Sequence, residues 1–285
     1  MSDRTQNWQP GPAWLFCPAN RPDRYEKAQA LADVVILDLE DAVAPNAKGA
    51  AREAVRRAGH EGRLDPERTV LRVNRSDCAD HSADLQLAAD LRLPRLMLAK
   101  AENPQQIAAI PHEVVALLES PRGIELAGDI ARVSNVVAVM WGADDLVAGM
   151  GGLRSRHPDG TFRDVARFAR SRALVAAKAY GRLALDAVHM DIPDRDGLAV
   201  QCEDAVAVGF DATVAIHPSQ VAVIRAAYTP SVERVDWARR LLEFVGADRG
   251  VTTFEGQMVD GPIFTQAERT LRRATAAGST MSRQS

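Results

Sequence analysis

The sequence predicts an α/β protein, a (β/α)8 TIM barrel with a C-terminal helical lid segment. Eight short segments are nearly continuous in apolar residues, with Val, Ile and Leu dominant, which is typical of parallel strands buried on both faces. Longer segments between them carry apolar residues at helical spacings of three and four. This alternation predicts βαβ units, and eight of them favour a closed barrel over the alternative, a doubly wound open sheet.

The predicted strands are short, and a helix or helical turn follows each of them. Parallel strands need such crossover connections, because the chain must return to the same end of the sheet before the next strand begins. In chain order, the predicted strands are Trp14–Cys17, Val34–Leu39, Thr69–Val73, Arg95–Ala99, Val114–Leu118, Val136–Trp141, Leu183–His189 and Thr213–Ile216.

Start signals and apolar stripes locate several of the helices. The segment from Pro22 to Ala32 begins with proline at the first helical position, where a missing N–H is tolerated. Ser120 followed by Pro121 has the residue types of an N-cap and a first helical position. Phe162 to Tyr180 carries alanines at spacings of three and four, and Val232 to Val245 shows the same helical pattern.

No low-complexity linker interrupts the chain, so we predict one barrel domain over residues 12–246. Beyond it, glycine and proline become frequent before a final helix. We expect residues 247–275 to form a C-terminal arm or lid. Residues 276–285 are rich in small and polar residues and are expected to form a disordered tail.

Composition excludes several classes of protein. The 285 residues include 35 basic and 38 acidic ones, and the net charge of −3 argues against a nucleic-acid binder or a polybasic membrane binder. No apolar run approaches the roughly 20 residues that span a bilayer, and the first ten residues show no secretory signal. Three distant cysteines exclude a disulfide framework. We therefore expect a cytoplasmic protein.

Polar residues follow the predicted strands at the end where the strands of a barrel converge on one mouth. Polar residues can simply mark where a strand stops, but here charges of both signs recur at the same end. We therefore predict that this mouth holds the active site. The residues concerned are Glu40, Asp41, Arg72, Asn74, Lys100, Glu102, Glu119, Gly142, Ala143, Asp144, Asp145, Asp191 and His217.

Glu119 and Asp145 follow consecutive strands, so their carboxylates are expected to be neighbours in a barrel. Two hard oxygen donors suit Mg²⁺, with water and substrate completing its coordination. No cluster of His or Cys competes for a softer metal. A salt bridge from these carboxylates to Arg72 or Lys100 is the structural alternative.

Arg72 lies inside an apolar strand, where an unpaired charge is costly and a partner is needed. Its planar guanidinium suits a carboxylate or carbonyl oxygen of a substrate. An ion pair with Glu40 or Glu119 is the structural alternative.

Arg21, Arg24 and Lys27 recur every three residues near a predicted helix N-terminus. Cations and the helix dipole together favour a phosphate group, and a solvated basic face is the alternative. His217 stands at a predicted strand end, where a structural hydrogen bond is the favoured explanation from the residues alone.

Eight segments resemble the citrate lyase β-subunit-like family, within the HpcH/HpaI aldolase/citrate lyase group and its stand-alone acyl-CoA lyase branch. Each segment is weak evidence alone, but together they follow one another in order through nearly the whole chain. The segments are Leu15–Arg24, Val35–Pro45, Leu71–Asn74, Met97–Glu102, Leu118–Gly123, Trp141–Leu146, Gly209–Gln220 and Phe254–Asp260.

This resemblance implies a barrel enzyme that cleaves or forms carbon–carbon bonds beside an acyl thioester. It implies Mg²⁺ bound by Glu119 and Asp145, and catalytic roles for Arg72 and for Asp260. Asp260 would come from a lid covering a neighbouring subunit, so a homo-oligomer, expected to be a trimer, is implied. The residues implied to bind the substrate are Arg72, Glu119, Glu40, Gly142 and Ala143, and those implied to bind coenzyme A are Phe16, Arg24, Lys27, Ile216 and His217.

On this basis we predict a Mg²⁺-dependent lyase that acts on a 3-hydroxyacyl-CoA, such as malyl-, citramalyl- or 3-hydroxy-3-methylglutaryl-CoA. Reversible Claisen-type cleavage would give acetyl-CoA and a small oxo compound. Three alternatives stay open: a lyase subunit acting on a carrier-bound thioester, a CoA-independent pyruvate-enolate aldolase, and a thioesterase. The basic residues after the first strand and the Asp260 motif favour a free acyl-CoA.

Overall fold

The strands of the barrel pair in parallel and in the order of the sequence, and the last strand pairs with the first. The computed structural model describes residues 8–247 and 249–281. The closed eight-stranded barrel confirms the predicted fold class. Its strands are β1 (Ala13–Pro18), β2 (Val34–Asp38), β3 (Thr69–Val73), β4 (Arg95–Leu98), β5 (Glu113–Leu118), β6 (Val136–Trp141), β7 (Leu183–Asp186) and β8 (Ala212–Ala215).

Seven strands begin and end within one residue of the apolar segments that predicted them, and β7 is the exception. It ends at Asp186 rather than at His189. The buried Asp186 carboxylate accepts hydrogen bonds from Trp141 Nε1 at 2.7 Å and from Arg170 Nη2 at 2.8 Å. The His189 ring lies beyond the strand, with Nε2 3.1 Å from Asp194 Oδ2. Side-chain partners thus replace the strand ladder after residue 186.

A cluster of buried apolar side chains includes members from all eight strands. Because the faces of the strands are covered, the sequence shows continuous apolar runs rather than an alternation of polar and apolar residues. This packing fixes the ends of the strands, and with them the residues that follow. The cluster contains Trp14, Val34, Ile36, Val70, Met97, Val115, Leu117, Val137, Ala138, Met140, Leu185, Ala212 and Val214.

Helices connect the strands, and the predicted start at Ser120 is observed. The Ser120 Oγ accepts a hydrogen bond from the Gly123 N–H at 3.1 Å, and Pro121 is the first helical residue. The predicted helix from Pro22 instead begins as a 3-10 turn over Pro22–Arg24. The first ten α-helices are α1 (Tyr25–Leu31), α2 (Lys48–His60), α3 (His81–Asp90), α4 (Pro104–Ala108), α5 (Pro121–Glu125), α6 (Ala127–Ala131), α7 (Ala143–Gly149), α8 (Asp164–Ala179), α9 (Arg195–Val208) and α10 (Pro218–Tyr228).

Residues 225–285 form a second compact unit, distinct from residues 1–224. It contains α11 (Val232–Val245), a hairpin of β9 (Thr252–Phe254) and β10 (Gln257–Val259), and α12 (Gly261–Met281). The sequence assigned α11 to a barrel domain ending at residue 246, whereas the structure groups it with the arm. The reason is a shared core, made of Ala238, Leu241, Val245, Val259, Phe264 and Ala267.

The structure describes only part of each chain terminus. Residues 276–281 of the predicted tail are the end of α12, and residues 282–285 lie outside the described residues. Residues 1–7, in which the sequence shows no secretory signal, also lie outside them. None of the described helices combines the length and the apolar character that crossing a membrane requires.

Candidate active site

Five charged side chains predicted at the carboxyl ends of the strands lie together. Glu40 follows β2, Arg72 is in β3, Lys100 follows β4, Glu119 follows β5, and Asp145 is in the first turn of α7 after β6. Lys100 Nζ is 2.6 Å from Glu40 Oε1, 3.8 Å from Glu119 Oε1 and 3.6 Å from Asp145 Oδ1. Arg72 Nη1 is 3.3 Å from Glu40 Oε2. Four consecutive strands and the helix after β6 therefore assemble one charged cluster at the mouth.

Arg72 is held mainly by Asp38, the last residue of β2. Nε donates to Asp38 Oδ1 at 2.7 Å and Nη2 to Oδ2 at 2.6 Å, a two-point contact between buried groups. Burial opposes the charged guanidinium, but the hydrogen bonds and charge of Asp38 outweigh it and raise the pKa of Arg72. The guanidinium also lies 4.8 Å from the centre of the Phe16 ring. These neighbours thus keep Arg72 charged and fix the position and orientation of its guanidinium.

Asp38 was not among the predicted site residues. A signal was available, because Asp38 ends an otherwise apolar strand next to the strand that carries Arg72. A buried acid and a buried base on neighbouring strands are expected to pair. Glu40, one of the two partners that the sequence suggested, is the second and longer contact.

Glu119 is 4% exposed, and two backbone features define its position. Its Oε1 accepts a hydrogen bond from the backbone N–H of Lys100 at 3.0 Å. A Cβ on Gly142 would lie only 2.8 Å from Glu119 Cβ, so the glycine makes room for the acid. Burial raises the pKa of Glu119 to about 7, although the charges of Lys100 and Arg72 act in the opposite direction.

Lys100 adopts a left-handed backbone, with φ of +48°, which is rare for a residue with a side chain. This conformation directs its N–H to Glu119 while its ammonium contacts Glu40, Asp41 and Asp145. Burial opposes the ammonium, but the hydrogen bond that the ammonium donates to Glu40 and the charges of the nearby carboxylates raise the pKa of Lys100. Burial likewise raises the pKa of Glu40, against the lowering effect of Arg72 and Lys100.

The donor set fits Mg²⁺. Glu119 and Asp145 each place a carboxylate oxygen within 4 Å of one point, the Lys100 Nζ. Within residues 8–247 and 249–281, no group of three or more His, Cys, Asp or Glu side chains is arranged to hold a metal ion. One or two carboxylates with water and substrate oxygens are the usual ligands of Mg²⁺, so Glu119 and Asp145 would hold it. The salt bridge to Lys100, which the sequence left open, is present in the same place.

Buried polar groups behind the mouth support Glu40. Lys48 Nζ donates to the backbone oxygen of Glu40 at 3.1 Å and to Asn74 Oδ1 at 2.5 Å. Asn74 Nδ2 donates to Asp84 Oδ2 at 2.7 Å. Neither Lys48 nor Asp84 was predicted, because each lies inside a helix pattern where charged residues are usually solvated.

The predicted coenzyme A residues lie in β1, in the 3-10 turn and helix α1 that follow it, and directly after β8. The strands β1 and β8 are hydrogen-bonded neighbours. Phe16 is half-buried in β1, and Arg24 and Lys27 are exposed after it. The backbone N–H groups of Ile216 and His217 donate to Gln220 Oε1 at 2.9 and 3.3 Å. Gln220, which is 1% exposed and fixes this loop, was not predicted as a site residue.

The structural alternatives for two predicted features are also observed. Arg21 pairs with Asp23 at 2.8 Å, so part of the basic face is an exposed ion pair. His217 Nδ1 is 2.8 Å from Ser219 Oγ, which is a local hydrogen bond. Arg24 and Lys27 are therefore better candidates than Arg21 for contact with a phosphate group.

Three further residues were predicted to belong to the site. Gly142 and Ala143 form the start of α7 beside Glu119, and the Gly142 N–H donates to the Leu118 oxygen at 3.1 Å. Asp260 belongs to the second unit, between β10 and α12, where its backbone oxygen accepts from the Phe264 N–H at 3.0 Å. The catalytic role of Asp260 stays a prediction.

Comparison with known proteins identifies relatives over nearly the whole chain. The profile of the HpcH/HpaI aldolase/citrate lyase family matches residues 13–218. A citrate lyase subunit beta-like protein of Mycobacterium tuberculosis is 54% identical over 270 residues, covering 94% of this chain and 97% of the relative. The mitochondrial citramalyl-CoA lyase of Rattus norvegicus is 30% identical, covering 94% and 87%. A (3S)-malyl-CoA thioesterase of Cereibacter sphaeroides is 30% identical, covering 92% and 94%.

A solved structure shows the same fold with ligands bound. It is the protein CitE from Mycobacterium tuberculosis in complex with magnesium, acetoacetate and coenzyme A. The match has a TM-score of 0.87 and 54% identity, and covers 93% of this chain and 98% of the other. This likeness extends over both units of the chain.

Proposed function

The chain belongs to the HpcH/HpaI aldolase/citrate lyase family, and from this premise we propose that it is a Mg²⁺-dependent carbon–carbon lyase acting on a 3-hydroxyacyl-CoA. Malyl-, citramalyl- and 3-hydroxy-3-methylglutaryl-CoA are the proposed candidates. The observation that carries the proposal is that Glu119 and Asp145 both place a carboxylate oxygen within 4 Å of the Lys100 Nζ. Arg72, fixed by Asp38, belongs to the same charged cluster.

In the proposed cleavage, Arg72 binds the 3-hydroxyl oxygen or a carboxylate next to it and stabilises the carbonyl that develops there. Glu119 and Asp145 would hold Mg²⁺, which would supply Lewis-acid polarisation of a substrate oxygen. The hydroxyl proton passes to solvent water, the Cα–Cβ bond breaks, and its electron pair passes to the acyl-CoA as an enolate. Asp260 protonates the enolate carbon to give acetyl-CoA, and in synthesis it removes that proton.

The coenzyme A part of the substrate is proposed to lie at the ends of β1 and β8. Arg24 and Lys27 supply positive charge there, and Phe16 and the Ile216–His217 backbone supply contact surface. The adjacency of the two strands supports this placement. The coenzyme A in the complex of CitE from Mycobacterium tuberculosis supports coenzyme A as part of the substrate.

The assembly is part of the same proposal. Asp260 follows the β9–β10 hairpin in the arm, and we propose that this arm covers the site of a neighbouring subunit in a cytoplasmic homotrimer. The separate core of the second unit supports an arm with a structure of its own.

One relative favours a second candidate function. The (3S)-malyl-CoA thioesterase is as similar to this chain as the citramalyl-CoA lyase is. A site that stabilises an oxyanion can also serve a water nucleophile, so hydrolysis of the thioester is the second candidate.

The deciding experiment measures products from a panel of 3-hydroxyacyl-CoAs with the purified protein alone, in Mg²⁺ and in EDTA. Mg²⁺-dependent release of acetyl-CoA and an oxo acid, lost in Glu119→Gln, supports the lyase. Free coenzyme A with an intact hydroxy acid indicates the thioesterase. No product from any member of the panel, together with cleavage of a carrier-bound thioester, would overturn the proposal in favour of a lyase subunit. Turnover without coenzyme A would favour the pyruvate aldolase.

A further inference from the structure

Lys100 lies at the centre of the acidic side of the mouth. Its Nζ is 2.6 Å from Glu40 Oε1, 3.3 Å from Asp41 Oδ2, 3.6 Å from Asp145 Oδ1 and 3.8 Å from Glu119 Oε1. One ammonium thus faces four carboxylates, two of which are the proposed metal ligands. The contacts to Glu40 and Asp41 are the shorter ones.

Lys100 also reaches Glu119 through its backbone. The left-handed φ of +48° aims the N–H of residue 100 at Glu119 Oε1, 3.0 Å away. Such a backbone is retained in a residue with a side chain only where its surroundings determine it. The position of Glu119 therefore depends on the backbone of residue 100 and on the space left by Gly142.

The charges around Glu119 and Asp145 indicate a specific role for the Lys100 ammonium. Arg72 directs two of its nitrogens to Asp38 and the third to Glu40. In the described part of the chain, the ion pairs that reach Glu119 and Asp145 within 4 Å both come from Lys100. A divalent cation held by the same oxygens would lie close to a like charge.

We propose that Lys100 is a positioning residue that acts as an internal counter-cation at the metal site, an inference that rests on the proposed function. Its ammonium neutralises Glu119 and Asp145 while no metal is bound and competes with Mg²⁺ for them. With Mg²⁺ bound, it keeps its shorter contacts to Glu40 and Asp41. Through Glu40, which also contacts Arg72, it connects the metal site to the substrate-binding arginine.

The test compares the affinity for Mg²⁺, by titration calorimetry at pH 8.5, in the wild type, Lys100→Met and Lys100→Arg. We expect Lys100→Met to bind Mg²⁺ about tenfold more tightly, because the competing charge is removed while the ligand geometry stays. Lys100→Arg keeps the charge and is expected to retain the affinity of the wild type. The matched control is Lys178→Met, since Lys178 pairs with Asp211 away from the cluster, and its affinity should not change.

Thermal unfolding gives a second readout, which can also be measured on a variant whose stability is reduced. Metal-free Lys100→Met leaves the carboxylates without their cation, so Mg²⁺ should raise its melting temperature by more than it raises that of the wild type. Equal or weaker binding of Mg²⁺ by Lys100→Met would overturn the inference and leave the proposed metal site standing. If the wild type and Glu119→Gln bind Mg²⁺ alike, the proposed metal site fails, and the inference about Lys100 fails with it.

Discussion

Each of the five clustered side chains at the mouth has a partner of the opposite sign, and the short contacts determine its chemistry. Asp38 fixes two nitrogens of Arg72, which leaves the third for Glu40 and for a substrate oxygen. The backbone of Lys100 fixes one oxygen of Glu119. These groups are positioned before any ligand binds, which is how a site stabilises developing charge without reorganising.

The position of Glu119 predicts how metal binding depends on pH. Burial raises the pKa of Glu119 to about 7, so the acid is largely protonated at pH 6 and largely ionised at pH 8. Mg²⁺ must displace that proton, and we expect its affinity to fall about tenfold from pH 8 to pH 6. Titration calorimetry at constant ionic strength measures it. Equal affinities at the two pH values would contradict the assignment of Glu119 as a ligand.

At the scale of elements, the arm owes its structure to helix packing. Leu241 of α11 is fully buried in a core shared with Phe264 and Ala267 of α12. The hairpin of β9 and β10 contributes Val259 to that core. Asp260 follows directly, so its position depends on this packing.

Replacement of Leu241 tests the energetic role of that core. We expect Leu241→Ala to lower the free energy of unfolding of the arm by roughly 2–5 kcal/mol, because it leaves a cavity among buried side chains. Urea unfolding followed by Trp237 fluorescence measures it. Val232→Ala is the matched control on the same helix, because Val232 is 80% exposed, and should change stability by at most about 0.5 kcal/mol. A similar small effect of Leu241→Ala would refute the packing argument.

At the scale of the whole molecule, the proposed trimer places Asp260 over a neighbour's metal site. Two different defects should then complement one another, because a mixed interface can combine an intact metal site with an intact lid. Glu119 and Asp145, in contrast, contact the same Lys100 and come from one chain. Two defects within that metal site should not complement.

Co-expression of differently tagged variants tests this complementation through the activity of the mixed trimers. Glu119→Gln and Asp260→Asn are each expected to be inactive, and their randomly mixed trimers should recover up to about a quarter of the wild-type activity. Co-expressed Glu119→Gln and Asp145→Asn should stay inactive. Inactive mixed trimers of the first pair would show that Asp260 does not serve a neighbour's site.

Periodicity alone determined much of this protein. The eight apolar runs predicted a closed parallel barrel, because strands buried on both faces carry no polar alternation. The position of polar residues after those strands predicted that Glu40, Arg72, Glu119 and Asp145 would gather at one mouth, because a barrel brings its strand ends together.

Only the tertiary structure decided the partners. Asp38 and Lys48 contact the site from positions 34 residues and eight residues away in sequence, from Arg72 and Glu40 respectively. Lys100 faces four carboxylates that come from three different strand ends. Likewise, α11 joins the arm rather than the barrel because of a core it shares with α12. Periodicity records which face of an element is buried, but which charges meet depends on strand register and on backbone conformations such as that of Lys100, which no local pattern encodes.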